Sequence, residues 1–206
     1  VAYGGGTFVV IGGVPHEGVL ISRDLGDTWQ PVDIGATNVL RDVAYGNGIF
    51  VGITWNEGVM TSADGSIWVP HPAPADAGFR HVSFEQGQFV AYGAKAALSA
   101  DGVDWTVGSV PIPGNLGVIA HGFGLFAGVA GDYQIADSGR VMTSQDGLLW
   151  DWADVATLIL NGIAFDGTRF VAVGGDGFNT GVTVTSTNGV DWTVRDPFPC
   201  RALEGV

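Results

Sequence analysis

Short apolar runs separated by glycine, asparagine or aspartate recur along the whole chain. Between residues 41 and 71 they read Arg41–Tyr45, Ile49–Thr54, Gly58–Ser62 and Ile67–His71. Asn47-Gly48 and Asp64-Gly65 lie between them and supply the positive φ angles of tight hairpins. Runs of this length and composition predict strands. The second run of each unit is apolar at successive positions: Phe8-Val9-Val10-Ile11, Phe50-Val51-Gly52-Ile53 and Phe170-Val171-Ala172-Val173. A strand with one face in water alternates, so these runs predict sheets covered on both faces.

A phenylalanine after a glycine-containing turn fixes the phase of the repeat: VAYGGGTF to Phe8, VAYGNGIF to Phe50, VSFEQGQF to Phe89, IAHGFGLF to Phe126 and IAFDGTRF to Phe170. Equivalent apolar positions fall at Val1, Val43, Val82, Ile119, Ile163 and Val206, between 37 and 44 residues apart. Four strands in about forty residues are the mark of a propeller blade. The expectation is an all-β, five-bladed β-propeller of four antiparallel strands per blade, one domain over residues 1–206, with repeats starting near 1, 43, 82, 119 and 163. An open stack needs end repeats with a polar outer face, and the first and last units are as apolar as the middle ones, which points to a closed ring. Arg201 to Val206 matches Asn38 to Val43, the first half of an inner strand, and Val1-Ala2-Tyr3 matches its second half. The C-terminal segment is thereby expected to complete the first blade.

A second motif recurs in the same phase. It reads SRDLGDTW to Trp29, SADGSIW to Trp68, SADGVDW to Trp105, SQDGLLW to Trp150 and STNGVDW to Trp192, with Asn188 in the place of the aspartate. These units resemble the Asp-box, or bacterial neuraminidase repeat, of sialidases, sortilin-type receptors and many bacterial extracellular propellers. The resemblance covers all five units. It implies a structural turn between the third and fourth strands, on the face away from the ligand, and an extracellular or cell-surface setting. Local chemistry agrees: the aspartate can accept amides of its own turn, the glycine takes positive φ, and the tryptophan packs on its hairpin. Asp24, Asp64, Asp101, Asp146, Asn188, Trp29, Trp68, Trp105, Trp150 and Trp192 are accordingly assigned to the scaffold.

Composition supports a turn-rich β protein: 34 glycines among 206 residues, and 14% charged residues. A net charge of −13 sets the chain against nucleic acid, whose phosphates it would repel, and against anionic membrane surfaces. The span from Asn115 to Gly131 has few polar side chains, but its length and its glycines fit the repeat better than a membrane segment. Cys200 is the single cysteine, so an intrachain disulfide is excluded. The four histidines share no metal spacing. No cofactor is expected; the acidic glycine loops Asp132 to Asp137 and Asp176-Gly177 are where calcium would bind if the chain takes it. The glycine stretches GNGIFVG and GFGLFAG lead into strands rather than helices and so lack the dipole of a phosphate loop.

Function is sought on the segments that fail to repeat. The loops joining second and third strands offer His16, Glu17, Trp55, Asn56, Glu57, Lys95, Asp132, Tyr133, Gln134, Asp176, Phe178 and Asn179. Arg41, Arg80, Asn161 and Glu204 occupy matched positions at the start of inner strands, with Gly117 in the remaining unit. Two matched arginines suit a carboxylate or sulfate ligand, or else pair with Asp42 and Glu204 at the rim. The ligand-binding expectation is Arg41, Arg80, Trp55, Glu57, Asp132, Tyr133, Asn161, Asp176 and Glu204, with Trp152 and Phe178 as further exposed loop aromatics.

Two functions follow. One is a noncatalytic binding or assembly module for a glycan or protein partner. The loops GGVPHEG, TWNEG, GAKA, AGDYQIADSGR and GGDGFNTG differ, so a single composite site is favoured over repeated sugar sites. The other is an extracellular glycosidase using two of Glu57, Asp42, Asp132, Asp176 and Glu204. By the family pattern a sialidase needs three arginines, a tyrosine with a glutamate partner and an acid aspartate, and only Arg41 and Arg80 are matched here. Both ends fall inside an inner strand, which also suits one ring of a larger surface or filament protein.

Overall fold

The structure, a computed structural model, describes residues 1–12, 18–35, 39–56, 58–110, 116–130, 139–156, 158–176, 180–195 and 198–199. Its elements are all strands. The first sheet is β1 (Ala2–Gly4), β2 (Thr7–Gly12), β3 (Gly18–Ser22) and β4 (Gln30–Val32). The second is β5 (Leu40–Gly46), β6 (Ile49–Thr54), β7 (Val59–Ser62) and β8 (Val69–His71). The third is β9 (Phe79–Glu85), β10 (Gln88–Gly93), β11 (Ala96–Ser99) and β12 (Thr106–Val107). The fourth is β13 (Leu116–Gly122), β14 (Leu125–Ala130), β15 (Gly139–Ser144) and β16 (Asp151–Ala156). The last is β17 (Ile159–Phe165), β18 (Phe170–Gly175), β19 (Thr180–Ser186) and β20 (Thr193–Val194), with β21 (Phe198–Pro199) pairing onto β19. Each sheet is an antiparallel meander in chain order, and these are the five expected blades. Residues 116–130, the apolar span, form the hairpin β13–β14. The six residues 201–206 that were expected to complete the first blade lie outside the described residues.

Two compact units hold these sheets: Val1–Val107 with the first three, and Gly108–Val206 with the last two. In the first unit one apolar layer joins the first two sheets through Val9, Ile21, Leu40, Val43 and Phe50, and another joins the second and third through Val51, Ile53, Phe79, Val82 and Phe89. In the second unit Ala127, Val141, Leu160, Phe170 and Val184 fill the layer between its two sheets. Phe50, Phe89 and Phe170 are fully buried. Each contributes about 1.5–3 kcal/mol through the water its ring sheds, before the entropy of ordering is set against it.

The strands β6, β10 and β18 are buried along nearly their whole length, as their unbroken apolar runs predict. The first sheet departs from that expectation. In β2, Phe8 and Val10 are only half-buried, because Val9 faces the second sheet while, among the described residues, no sheet of the same unit covers the other side; Ile11, on the face of Val9, packs at the margin of that layer.

Tyr45 of β5 lies over Gly4 of β1, Phe84 of β9 over Gly46 of β5, and Phe165 of β17 over Gly122 of β13. A side chain at any of these glycines would occupy the space of the ring. Aromatic-on-glycine contact thus sets how closely neighbouring first strands approach.

Candidate functional site

The five turns that follow β3, β7, β11, β15 and β19 are built alike. In the second, Gly65 N donates to Ser62 Oγ at 2.9 Å, Ser66 N and Ile67 N donate to Asp64 Oδ1 at 2.8 and 3.1 Å, and Trp68 Nε1 donates to Gly65 O at 2.8 Å. In the last, Asn188 Oδ1 accepts Val190 N and Asp191 N at 2.9 and 2.8 Å. All five indoles donate to the turn glycine, Trp29, Trp105, Trp150 and Trp192 at 3.0, 3.2, 3.0 and 3.2 Å. These hydrogen bonds to the carboxylate hold Asp24 down to about 2 and lower Asp64, Asp101 and Asp146 from the usual range. Acceptors engaged in this way by their own backbone have few lone pairs left for a ligand.

The matched arginines present a different chemistry. In β5 the pairing with β6 skips from Leu40–Thr54 to Asp42–Ile53, and in β9 the pairing with β10 skips from Phe79–Gly93 to His81–Tyr92. Arg41 and Arg80 are therefore the extra residues of two β-bulges. The same slip falls at Gly117 in β13 and at Asn161 in β17. A bulge takes one residue out of the ladder and re-aims its side chain, so four of the matched positions share one structural reason for standing out.

Around Arg41 the site is well defined. Trp55 N donates to Val39 O at 2.9 Å, which carries the β5–β6 ladder one step further and holds Trp55 beside the bulge. The Arg41 guanidinium carbon lies 4.5 Å from the centroid of the Trp55 ring, and that ring is 60% exposed. Partial burial, and secondly the charge of Arg80, hold the Arg41 guanidinium below its ordinary value. The expected pairing of these arginines with Asp42 is not found. Asp42 Oδ1 accepts Val43 N at 2.8 Å, and Oδ2 accepts Val82 N at 3.0 Å with His81 Nδ1 at 3.5 Å. β9 is a first strand with a free edge, so its Val82 amide needs an acceptor from the neighbouring sheet, and Asp42 meets that need. Neither Arg41 nor Arg80 forms an ion pair with a described carboxylate. His81 in turn stacks on Tyr92 at 5.4 Å.

Arg41, Trp55 and Arg80 thus share the first unit, with His81 and Tyr92 as supports that the sequence had not singled out, and with Asp42, expected as an ion-pair partner or a catalytic carboxylate, bound to backbone amides instead. A signal for two of them was present, since Asp42 and His81 each follow a matched arginine. Asn161 and Asp176 belong to the second unit, where Asp176 Oδ1 accepts Thr180 N at 3.0 Å and tightens the β18–β19 connection. Glu57, Asp132, Tyr133, Phe178 and Glu204 lie outside the described residues. Trp152, expected on a loop, is instead the second residue of β16, a six-residue outer strand against two or three in the other blades. Its ring lies 4.8 Å from the guanidinium carbon of Arg140, which is ion-paired to Asp154 at 2.9 Å. Among the described residues no three His, Cys, Asp or Glu side chains gather as a metal site would require.

No protein-family model and no curated protein matches the sequence. Solved structures do match the fold. The structure titled YCF48 bound to D1 peptide superposes with a TM-score of 0.65 at 15% identity, over 88% of this chain and 60% of that one, so this chain spans less than two thirds of its length. YCF48 from Cyanidioschyzon merolae gives 0.64 at 18% identity, over 94% and 68%. The GH74 enzyme of Niastella koreensis gives 0.65 at 16% identity, over 86% and 34%. With five meander sheets and these propeller neighbours, the chain is an all-β five-bladed propeller.

Proposed function

We propose that this chain is a noncatalytic binding module that holds a carboxylate-bearing segment of a protein partner on Arg41 and Arg80. The observation that carries this is the pair of matched bulges. They set two guanidinium groups close enough for one charge to weigh on the other; Asp42 partly offsets that at Arg41, but neither arginine is ion-paired to a described carboxylate. Bringing a carboxylate between them relieves that repulsion and forms charge-assisted hydrogen bonds worth about 1.5–3 kcal/mol. Trp55 supplies an exposed apolar wall for the residue next to the carboxylate, as aromatic residues do at interfaces. The reading draws support from similar folds in YCF48 bound to D1 peptide and in a nidogen/laminin complex.

Titration calorimetry with a peptide ending in a free carboxylate, its C-terminal amide, and glucuronic acid tests the proposal. The free-acid peptide is expected to saturate the protein, and an Arg41→Gln/Arg80→Gln variant to bind it about tenfold more weakly. Equal binding of acid and amide overturns it. Saturation by the sugar acid alone makes the module a lectin, and turnover of chromogenic glycosides makes it a hydrolase.

A further inference from the structure

Within each unit the SxDGxxW turn of a later blade lies against the blade before it, and between the two runs a cleft that differs from one pair to the next. Gly65 of the second turn packs on Val9 and Ile21 of the first sheet, and Gly189 of the last turn packs on Leu125 of the fourth. In the first cleft Arg23, the residue after Ser22, reaches across. Its Nη2 donates to Ser66 Oγ at 2.6 Å and to Asp64 O at 3.3 Å, with Asp64 Oδ2 at 3.8 Å. A small recess of about 160 Å³ lies beside Arg23 on the first sheet, lined by Ile21, Arg23, Asp24, Thr28 and Gln30.

In the cleft between the fourth and last sheets the residue matching Arg23 is Gln145, and it makes no hydrogen bond across the gap among the described residues. The groove left open measures about 580 Å³. One wall is the face of β15 and β16 that carries Val141, Thr143, Asp151 and Ala153, cross-strand partners in pairs. The other is the last turn, with Gly189, Val190 and Trp192. Leu149 and Val190 flank it and are 67% and 69% exposed. Asp146 and Asp151 line it, and no lysine or arginine does. Trp152 also lines the groove and has the Arg140 guanidinium 4.8 Å from its ring centroid, but the charge of Arg140 is matched by Asp154.

We infer that this groove is a docking site for an arginine side chain of a protein partner, carried on an extended segment with an apolar neighbour, and that Arg23 shows the seated group in cis. Three features of the groove fit that occupant. Asp151, whose carboxylate is not spent on its own turn as that of Asp146 is, complements a guanidinium. The last turn keeps the backbone carbonyl position that Asp64 offers to Arg23, here Asn188. Val190 replaces the Ser66 hydroxyl and the Asn188 amide replaces the Asp64 carboxylate, so the charged partner has to come from Asp151. Exposed Leu149 and Val190 match an apolar residue beside the arginine, and the long exposed outer strand β16 gives an extended segment a wall to run along. The site is separate from Arg41 and Arg80, has the opposite charge preference, and does not depend on the function proposed for them.

The test uses the full chain and the peptides acetyl-Leu-Arg-Leu-amide and acetyl-Leu-citrulline-Leu-amide, which differ in charge and hardly in shape. Nitrogen-15 spectra report on the indole N–H of Trp192. The arginine peptide is expected to saturate that signal, and the citrulline peptide to bind at least about threefold to fivefold more weakly. Asp151→Asn is expected to close most of that difference. Gln145→Arg, which supplies the cis arginine that Arg23 supplies in the first cleft, is expected to abolish binding while leaving the midpoint of urea unfolding unchanged. Absence of saturation, equal affinity for both peptides, or undiminished binding by Gln145→Arg each overturns the inference. So does concentration-dependent self-association lost in Gln145→Arg, which would make the occupant a second copy of the chain.

Discussion

The guanidinium of Arg41 lies over the face of Trp55, 4.5 Å from the ring centroid, although Trp55 is anchored by its backbone to Val39 and, among the described residues, its ring makes no hydrogen bond. The indole therefore orients the arginine and remains open on its other side. Arg41→Lys keeps the charge but loses the flat group that stacks and the fork that grips a carboxylate with two parallel bonds. We expect the variant to bind the free-acid peptide about threefold to tenfold more weakly by calorimetry. Trp55→Ala is expected to do the same by freeing the guanidinium. Wild-type affinity in Arg41→Lys would mean that charge alone, not geometry, selects the ligand.

Asp101 and Asn188 hold the same hydrogen bonds. Asp101 Oδ1 accepts Val103 N and Asp104 N at 2.9 and 3.0 Å, and Asn188 Oδ1 accepts its two counterparts at 2.9 and 2.8 Å. The turn needs an oxygen at that point and not a charge. Asp101→Asn is expected to cost under about 1 kcal/mol, whereas Asp101→Ala leaves two amides and the Ser99 hydroxyl without their acceptor and costs about 1–3 kcal/mol. Urea unfolding of the two variants measures the difference, and equal losses would refute it.

Gly102 and Gly48 both have positive φ, +71° and +83°. A Cβ at Gly48 meets nothing within 4 Å, while one at Gly102 runs into Val51 of the neighbouring sheet. Gly48→Ala should therefore cost only the backbone strain, about 1–2 kcal/mol. Gly102→Ala adds to it the overpacking of a buried layer, about 1–3 kcal/mol more. Thermal unfolding of both variants checks the order, and a Gly48 variant at least as unstable as the Gly102 variant would contradict it.

The parts of this molecule that could be read from the sequence are those whose interactions close within a few residues. Ser62, Asp64, Gly65 and Trp68 bond to one another, so their spacing repeats wherever the turn does, and counting the turns gives the five blades. Phe50, Phe89 and Phe170 are legible because a strand covered on both faces cannot alternate. The bulges at Arg41 and Arg80 leave no such trace. The slip of register is imposed by pairing with β6 and β10, and the residue it ejects is arginine in two blades, glycine in another and asparagine in a fourth. Asp42 was misread for the same reason: beside Arg41 in the chain, it serves an amide of β9. The open groove has no signature in the sequence because it depends on whether one side chain, Arg23 or Gln145, spans the gap to the next blade.

The turn aspartates also set how stability depends on pH. Their carboxyls are lowered by the hydroxyl and amides that donate to them, Asp24 to about 2, with Asp64, Asp101 and Asp146 shifted in the same direction. A carboxyl lowered in the folded state binds fewer protons there than in the unfolded chain, so its contribution is present above the ordinary value near 4 and is lost as pH falls through the folded value. Glu85 works against this, because burial raises its carboxyl, and the stability it contributes lies below its ordinary value and fades as pH rises. Asp166, held down by the Thr168 hydroxyl and the amides of its own turn, makes five lowered carboxyls against this one. The main fall in melting temperature should therefore come between about pH 4 and 2, after a smaller loss as pH drops through the ordinary histidine range, where burial keeps His121 from taking up a proton. Asp101→Asn removes one titrating turn and should make that acid fall shallower, while Glu85→Gln should raise the melting temperature at pH 7 and leave the acid limb in place. Calorimetric scans at each pH decide it: an acid limb unaltered in Asp101→Asn would mean that the turn carboxylates are not what acid attacks.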